Sequence, residues 1–310
     1  MNEKTIFESK TLNDFINEYT AKETIRQHKI ALKKYFTHYN KNPDNYIVDV
    51  RNLDNGNRNK IKDQYEKDIT QYRNHLIKEE YSPKAIHNYI SSVKMFLEHH
   101  RIDLDKMFWK KLRQRGIEKT NDSVCNFKIP KPEDLKKILT HASTKSRAMF
   151  LLQSSSGMRI GEICNLKISD IDLDYEFPHI TLRDTKTRSK GRTRCSIEAK
   201  EAIKEWLKVR KEYLETQKNR TRKEDWKNDY ENRLFPGTTK NARKMWNRLL
   251  EKSGYAKKDN TGKYPRNLMS THTNRKMFRN EFSKYNNDLA TYLMNQRTGC
   301  LLYTSPSPRD

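Results

Sequence analysis

The sequence predicts a mainly α-helical protein with one small β-sheet, an α+β chain of two domains. Apolar residues recur at intervals of three and four along most of the 310-residue chain, which is the spacing of one helix face. Two short apolar segments flank a polar loop between residues 177 and 197, as they do in a β-hairpin. A polar stretch without periodicity, residues 116–130, separates the two regions and predicts a linker.

The first predicted domain, residues 1–115, consists of helices. Their apolar faces are formed by Leu12, Phe15, Ile16 and Tyr19, and then by Ile25, Leu32, Tyr35 and Phe36. Residues 40–60 are rich in Asn, Asp and Gly and predict a loop, after which residues 61–80 return to a helical pattern. Ser82 and Pro83 predict a helix start, because the hydroxyl can cap free N–H groups and proline fits the first turn.

The helix that follows Pro83 carries polar side chains opposite its apolar stripe. The residues with which this helix could bind nucleic acid are Lys84, His87, Asn88, Ser91 and Lys94. Such a face is also typical of an ordinary solvated helix, so both interpretations stay open at this point.

The second predicted domain, residues 131–299, contains the sheet. We expect helices after Pro132, over residues 146–154, 198–216 and 239–252, and, with polar interruptions, over residues 270–296. Two strands, residues 177–182 and 193–197, are expected to form a hairpin whose tip, residues 183–192, is basic. Residues 217–232 and 257–265 predict loops, and residues 234–237 predict a short buried turn.

The chain is strongly basic, with 64 Lys and Arg against 40 Asp and Glu and a net charge of +24. Polyphosphates are the usual partners of such a surface, although a lysine-rich composition that merely fills exposed positions gives the same sum. No apolar run reaches the roughly 18 residues of a membrane span, and residues 1–30 lack a secretory signal pattern. The four cysteines lie far apart, which argues against a disulfide framework or zinc site and fits a cytoplasmic protein.

Polar clusters interrupt the apolar segments of the second domain. Arg159 stands at a helix start, where free N–H groups favour an anion, and Glu162 follows one turn later. Lys186 lies at the hairpin tip. His272 and Arg275 share one helix face, so both can contact one phosphate. Taken singly, these clusters are also consistent with a surface ion pair, a solvated lysine and a helix-capping region.

The order of these clusters, behind a helical domain in a basic chain, resembles that of the tyrosine recombinase (integrase) family. Residues 166–172 resemble the stretch after the family's first arginine, and residues 192–197 resemble the second strand of its hairpin. The resemblance covers nearly the whole chain. It implies that residues 1–115 are a helical, SAM-like core-binding domain and that residues 131–299 are the catalytic domain.

The resemblance also implies a reaction, in which DNA is cleaved and rejoined through a 3′-phosphotyrosyl intermediate without a metal or nucleotide cofactor. Arg159 and Arg275 would stabilise negative charge on the non-bridging phosphate oxygens. His272 would hydrogen-bond the phosphate and assist proton transfer. Glu162 would support the first arginine.

Two further positions follow from the same resemblance. Lys186 would protonate the leaving oxygen, with Lys190 as the alternative acid, since the hairpin tip holds both. Gln296 falls where the family has His or Trp after a leucine–glycine pair, and this sequence departs from that pattern. An amide can donate one hydrogen bond to a phosphate, but it cannot act as an acid or a base.

The nucleophilic tyrosine of the family is expected near residues 305–306, where this sequence has Ser305 and Pro306. Tyr303 lies too early, and the prolines that follow it do not continue a helix. Residues 300–310 contain no Asn or Lys and resemble a translated sequencing adapter, so we expect the natural reading frame to continue beyond Gly299. The chain as written is therefore expected to bind DNA without cleaving it.

The resemblance implies double-stranded DNA as the partner and, for the full-length protein, a homo-tetramer on paired DNA sites. A role in DNA integration by a mobile element and a nucleoid-associated location in the cytoplasm would follow. The main alternative is a non-catalytic DNA-binding protein that keeps the recombinase fold. A basic RNA-binding or structural protein is the third possibility, but it would need the four motifs around Arg159, Lys186, His272 and Gln296 to arise in this order by chance.

Overall fold

The computed structural model describes residues 8–47, 55–114, 127–183, 191–220, 228–260 and 265–296. The chain forms two compact units, residues 1–124 with 260–265 and residues 125–259 with 266–310. Helices dominate both, and the small sheets lie in the second, as the sequence predicts for a mainly α chain. Within these described ranges, no helix combines the length and the apolar character that a membrane span requires.

The first unit is helical. Its described helices are α1 (Lys10–Asn17), α2 (Lys22–Tyr39), α3 (Pro43–Tyr46), α4 (Asn55–Lys78), α5 (Pro83–His99) and α6 (Lys106–Gln114). The predicted apolar faces pack together, and α2 lies against α5 through Leu32, Phe36 and Phe96. Ser82 caps α5 as predicted, because its hydroxyl accepts a hydrogen bond from the Ala85 N–H at 3.3 Å.

The prediction of a continuous loop over residues 40–60 is wrong in part. The single turn α3 forms within it, because the Asn42 side chain accepts from the Asp44 N–H at 2.9 Å and Pro43 fits the first turn. The Asp44 carboxylate then accepts from the backbone N–H of Thr11 at 2.9 Å, which ties α3 to the start of α1. Helix α4 also begins earlier than predicted, at Asn55.

The second unit carries the predicted hairpin. Its elements are α7 (Pro132–Leu139), α8 (Thr144–Ser156), α9 (Ile160–Asn165), β1 (Ile171–Asp172), β2 (His179–Leu182), β3 (Gly191–Arg194), α10 (Ile197–Arg220), α11 (Thr239–Lys252), β4 (Lys258–Asp259), β5 (Arg266–Asn267), α12 (Thr271–Ser283) and α13 (Asn287–Leu293). Strands β1, β2 and β3 form one antiparallel sheet, with Ile180 opposite both Ile171 and Thr193.

Several predicted boundaries in this unit need correction. The first hairpin strand starts later than predicted, since proline at 178 has no N–H for a ladder. The second strand starts earlier, at Gly191 inside the predicted tip, and ends at Arg194, because Ser196 caps α10 through the Ala199 N–H at 3.2 Å. Helix α10 runs to Arg220, so the loop predicted from residue 217 starts too early. Strands β1, β4 and β5 were not predicted, because two-residue strands leave no periodicity in a sequence.

Helix α8 is the centre of the second unit and positions the functional site. It is buried on nearly all sides, with Phe150 packed edge to face on Trp246 of α11 at a ring distance of 4.8 Å. Helices α10 and α12 pack on it as well. The helix ends at Gly157, whose φ of 64° turns the chain directly into α9.

Candidate active site

Arg159 and Glu162 form the first part of the site, at the turn between α8 and α9. The Arg159 backbone N–H donates to Glu162 Oε2 at 2.7 Å, and Arg159 Nη1 donates to Glu162 Oε1 at 2.8 Å. The Glu162 side chain is 5% exposed and that of Arg159 is 31% exposed. The carboxylate is thus buried beneath a guanidinium that remains open to solvent.

Arg275 comes from the first turns of α12 and is almost completely buried. Its Nη1 donates to the Gly157 carbonyl and its Nη2 to the Met294 carbonyl, the latter at 2.8 Å. Nη1 also lies 3.9 Å from Glu162 Oε2. Burial, reinforced by the positive charge of Arg159, lowers the pKa of Arg275 to about 10, so the side chain is still a cation at neutral pH.

His272 lies one turn before Arg275 on the same helix. Ser270 caps this helix, because its hydroxyl accepts from the His272 backbone N–H at 3.2 Å. Although the residue has solvent access, partial burial of the imidazole lowers its pKa, and the charges of Lys276, Arg275 and Arg159 lower it further. The imidazole is therefore neutral near pH 7 and can accept a proton.

These side chains line one cavity of about 660 Å³. Its wall includes Arg159, Glu162, Arg243, Thr271, His272 and Arg275. Three guanidinium groups and one carboxylate give the cavity a positive balance. Because a guanidinium offers planar, permanently charged donors, a wall of this kind is suited to a phosphate or another tetrahedral anion.

Three polar residues at this site were missed by the sequence analysis. Arg243 on α11 lines the cavity, one turn after Thr239, and the basic segment after residue 238 was the only signal. Gln153 also lines the cavity, and the fully buried Asn274 contacts it, with Asn274 Nδ2 donating to Gln153 Oε1 at 3.3 Å. The Asn274 carbonyl oxygen has no hydrogen-bond partner within the described residues. No local pattern predicts this pair, since the two residues are 121 positions apart.

The remaining predicted site residues either do not line the cavity or lie outside the described parts of the chain. Gln296 lies just after α13 and is not among the residues that line the cavity. Its backbone N–H donates to the Thr291 carbonyl at 3.1 Å. Lys186 and Lys190 fall in residues 184–190 and Tyr303 in residues 297–310, so all three lie outside the described parts of the chain.

The predicted nucleic-acid face is on α5. Lys84, His87 and Asn88 are exposed, whereas Ser91 and Lys94 are half-buried. Lys94 Nζ lies 3.4 Å from Glu98 and 5.3 Å from the centre of the Trp109 ring. This lysine is therefore already partly engaged within the unit.

Comparison with known proteins identifies a family match and related recombinases. Residues 130–290, just over half of the chain, match the Phage integrase family. Tyrosine recombinase XerA of Pyrococcus horikoshii is 30% identical over 120 residues, which are 35% of this chain and 41% of that protein. XerA of Thermococcus onnurineus is 28% identical over 158 residues, 48% of this chain and 51% of that protein. The chain thus spans about half or less of these relatives.

Solved structures share the fold. A lambda integrase dimer bound to a COC′ core site has a TM-score of 0.61 at 13% identity and covers 94% of this chain and 95% of its own. The Tn1549 transposon integrase in complex with transposon right end DNA has a TM-score of 0.61 at 15% identity, with 93% and 90% covered. At these identities the likeness concerns the fold alone.

Proposed function

Because the chain belongs to the phage integrase family of tyrosine recombinases, we propose that it acts in site-specific DNA strand cleavage and rejoining through a 3′-phosphotyrosyl intermediate. The observation that carries the proposal is the cavity that Arg159, His272 and Arg275 share. The cavity presents two fixed cations and a neutral imidazole to one anion. The cations can stabilise the charge that develops on a phosphodiester in the transition state, and the imidazole can transfer a proton.

In the proposed reaction a tyrosine oxygen attacks the phosphorus while the bond to the 5′-oxygen breaks. The phosphorane-like transition state gains charge on its non-bridging oxygens, and Arg159 donates to them from the exposed side of its guanidinium. Arg275 adds charge from a fixed position, because two backbone carbonyls orient it. His272 accepts the tyrosine proton, and Lys186 of the hairpin tip gives a proton to the leaving 5′-oxygen.

Whether this sequence contains the nucleophilic tyrosine is a separate prediction. The position at which the family has its tyrosine is occupied by Ser305 and Pro306 in this sequence, and Tyr303 stands too early. We propose that residues 1–310 bind DNA without forming the covalent link on their own. A denaturation-resistant complex with nicked DNA, mapped to Tyr303, would contradict this.

The proposed substrate is double-stranded DNA. The charge of +24 and the exposed residues Lys84, His87 and Asn88 of α5 support this choice. Among solved structures of the same fold, lambda integrase forms a tetramer bound to a Holliday junction, with a TM-score of 0.60 to this chain. We propose a homo-tetramer on paired sites, with a role in the integration of a mobile element.

A test that does not depend on the tyrosine uses the second half of the reaction. Preferred sites are first selected from a random duplex library with the 310-residue protein. A strand of the selected site is then made with a 3′-(4-nitrophenyl) phosphate, which imitates the phosphotyrosyl bond, next to a free 5′-hydroxyl. Attack by this hydroxyl forms the new phosphodiester and releases nitrophenolate, which is coloured.

The proposal predicts selection of inverted half-sites and faster nitrophenolate release with protein than without it. Replacement of Arg159 by alanine should lower the rate by about 10²–10³, as loss of one preorganised donor does in other enzymes. Specific binding without rate enhancement would favour the non-catalytic DNA-binding alternative. Failure to select any site would contradict both functions.

A further inference from the structure

A second cationic site lies in the first unit, and it shares His87, Ser91 and Lys94 with the predicted nucleic-acid face of α5. Arg73 on α4 is 5% exposed, and its Nε and one terminal nitrogen, Nη2, have no hydrogen-bond partner within the described residues. Its other terminal nitrogen, Nη1, donates to Asn74 Oδ1 at 3.4 Å, a long contact. Burial lowers the pKa of Arg73, although the group stays protonated at neutral pH.

An unpaired buried guanidinium is unfavourable. A buried polar group without a partner costs on the order of 1–3 kcal/mol, and a charged one costs more. No carboxylate within the described residues forms an ion pair with Arg73. Arg275 differs, because its two terminal nitrogens donate to backbone carbonyls and one of them lies 3.9 Å from Glu162. A ligand that supplies an anion close to the guanidinium would offset part of this penalty by charge attraction.

The space for such a ligand is present beside Arg73. A cavity of about 310 Å³ lies between α4, α5 and α6, and Arg73 forms part of its wall. Lys94, His87 and Arg113 add basic groups to that wall, and none of the described residues that line it is acidic. The cavity thus combines a buried guanidinium that lacks an ionic partner with three further basic side chains, of which Lys94 also contacts Glu98.

Apart from Ser91, the rest of the wall is apolar. It is formed by Pro83, Ile86, Ile90, Trp109 and Leu112. The indole of Trp109 is 8% exposed and lies below Lys94. A bare inorganic anion would leave this surface without a contact, whereas an aromatic ring would cover it. The volume is at the lower end of the range of about 300–1,000 Å³ for small-molecule sites.

From this geometry we propose that the first unit holds a binding site for a small organic anion, one carboxylate or phosphate group attached to an apolar ring. The anionic group lies beside the buried charge of Arg73, with the basic groups of Lys94, His87 and Arg113 in the same wall. The ring lies between Ile90 and Trp109. The site does not depend on the proposed recombinase chemistry, whose cavity lies in the second unit.

The test uses the full 310-residue protein and four probes, 1-naphthyl phosphate, 1-naphthoate, inorganic phosphate and the neutral 1-naphthalenemethanol. Binding is measured by titration calorimetry. We expect saturable binding of the two aromatic anions, at least tenfold weaker binding of the neutral alcohol, and weaker binding of inorganic phosphate. Equal affinity for the neutral alcohol would overturn the proposal, because the cavity would then be apolar only.

Two variants with a matched control assign the site. Arg73→Met should weaken binding of both aromatic anions at least tenfold, while Lys110→Met, which removes the same charge from an exposed position on α6, should leave it unchanged. Should Arg73→Met fail to fold, Ile90→Trp fills the cavity and leaves Arg73 in place, and it should also abolish binding.

Other outcomes decide against the site. Wild-type affinity in Arg73→Met or in Ile90→Trp would mean that the anions bind elsewhere. No saturable binding by the wild type would overturn the proposal outright. In a further outcome, the wild type binds none of the aromatic anions while Arg73→Met weakens DNA binding and reduces its salt dependence. That result would identify Arg73 as a DNA phosphate contact and overturn the proposal.

Discussion

Glu162 accepts two hydrogen bonds from Arg159, one from its backbone N–H at 2.7 Å and one from its guanidinium at 2.8 Å. The same carboxylate therefore fixes the start of α9 and the direction of the arginine side chain. Because the carboxylate is 5% exposed, water does not compete for it, and the guanidinium keeps one orientation before any substrate arrives. This arrangement leads to the first prediction.

Glu162→Gln should lower both stability and the rate of nitrophenolate release. An amide can keep only one of the two contacts as an acceptor, since its NH₂ group faces a donor at the other. We expect a loss of about 1–3 kcal/mol in the free energy of unfolding, typical of a buried donor left unpaired. Urea unfolding and the nitrophenyl ester assay measure the two effects.

The control for that variant is Glu198→Gln. Glu198 lies 3.9 Å from Arg147, and both side chains are more than half exposed, so its loss should change stability by less than about 1 kcal/mol. Equal losses of stability in the two variants would show that the buried Arg159–Glu162 contact contributes no more than an exposed ion pair.

Conservative exchange of the two arginines should separate their roles. Lysine at position 159 keeps a charge at a half-open site, so Arg159→Lys should slow the nitrophenyl ester reaction with little change in stability. Arg275→Lys should also destabilise the protein by about 1.5–3 kcal/mol, because one ammonium cannot reproduce two separate charge-assisted bonds to carbonyls. A fully stable Arg275→Lys protein would contradict the anchoring role of these carbonyls.

The two arginines also differ in how far their contacts could be predicted from the sequence. Arg159 and Glu162 are three residues apart, so helix geometry alone predicts that they meet. The anchors of Arg275 are Gly157, 118 positions away, and Met294, which no local pattern connects to it. Arg243 likewise joins the cavity only because α11 packs near α9.

The fold shows the same division between local and distant causes. Periodicity predicted the long helices, and Ser82 with Pro83 predicted the start of α5. Polar interruptions were predicted within residues 270–296, but the position of the break between α12 and α13 was not, because it depends on Asn286, whose side chain caps α13 through the Leu289 N–H at 2.8 Å. The paired strands β4 and β5 are too short to leave a pattern.

Gly157→Ala should be one of the most destabilising single-methyl changes in the second unit. Its φ of 64° is unfavourable for alanine by about 1–2 kcal/mol, and an added Cβ would lie 2.4 Å from Phe278 Cδ1 and 2.9 Å from Met294 Cγ. Movement of Phe278 or Met294 would also disturb the Arg275 anchor, so the nitrophenyl ester reaction should slow as well.

The matched control for this change is Gly254→Ala. Gly254 has a similar φ of 76°, but nothing lies within 4 Å of an added Cβ. It therefore carries the conformational penalty alone, and the difference between the two variants in urea unfolding reports the clash. The same loss of stability in both would mean that Phe278 and Met294 move aside freely.

The stability of the first unit should fall as the pH drops below the ordinary histidine pKa of about 6.5. Burial lowers the pKa of His28, His38 and His100 in the folded chain. The unfolded chain therefore binds protons at a pH where the folded chain does not, so protonation favours unfolding. The loss should begin near the unfolded pKa and continue downward until the lower folded values are passed.

Hydrogen exchange of α2 and α5, followed by mass spectrometry between about pH 7.5 and about pH 5.5 with correction for intrinsic rates, measures this loss. His28→Gln should weaken the dependence, because glutamine can keep a hydrogen bond to Ser92, which His28 Nδ1 contacts at 3.0 Å, and it does not titrate. His87→Gln, at an exposed position on α5, is the control and should leave the dependence unchanged. Exchange that is equally pH-dependent in His28→Gln and the wild type would show that His28 does not contribute to it.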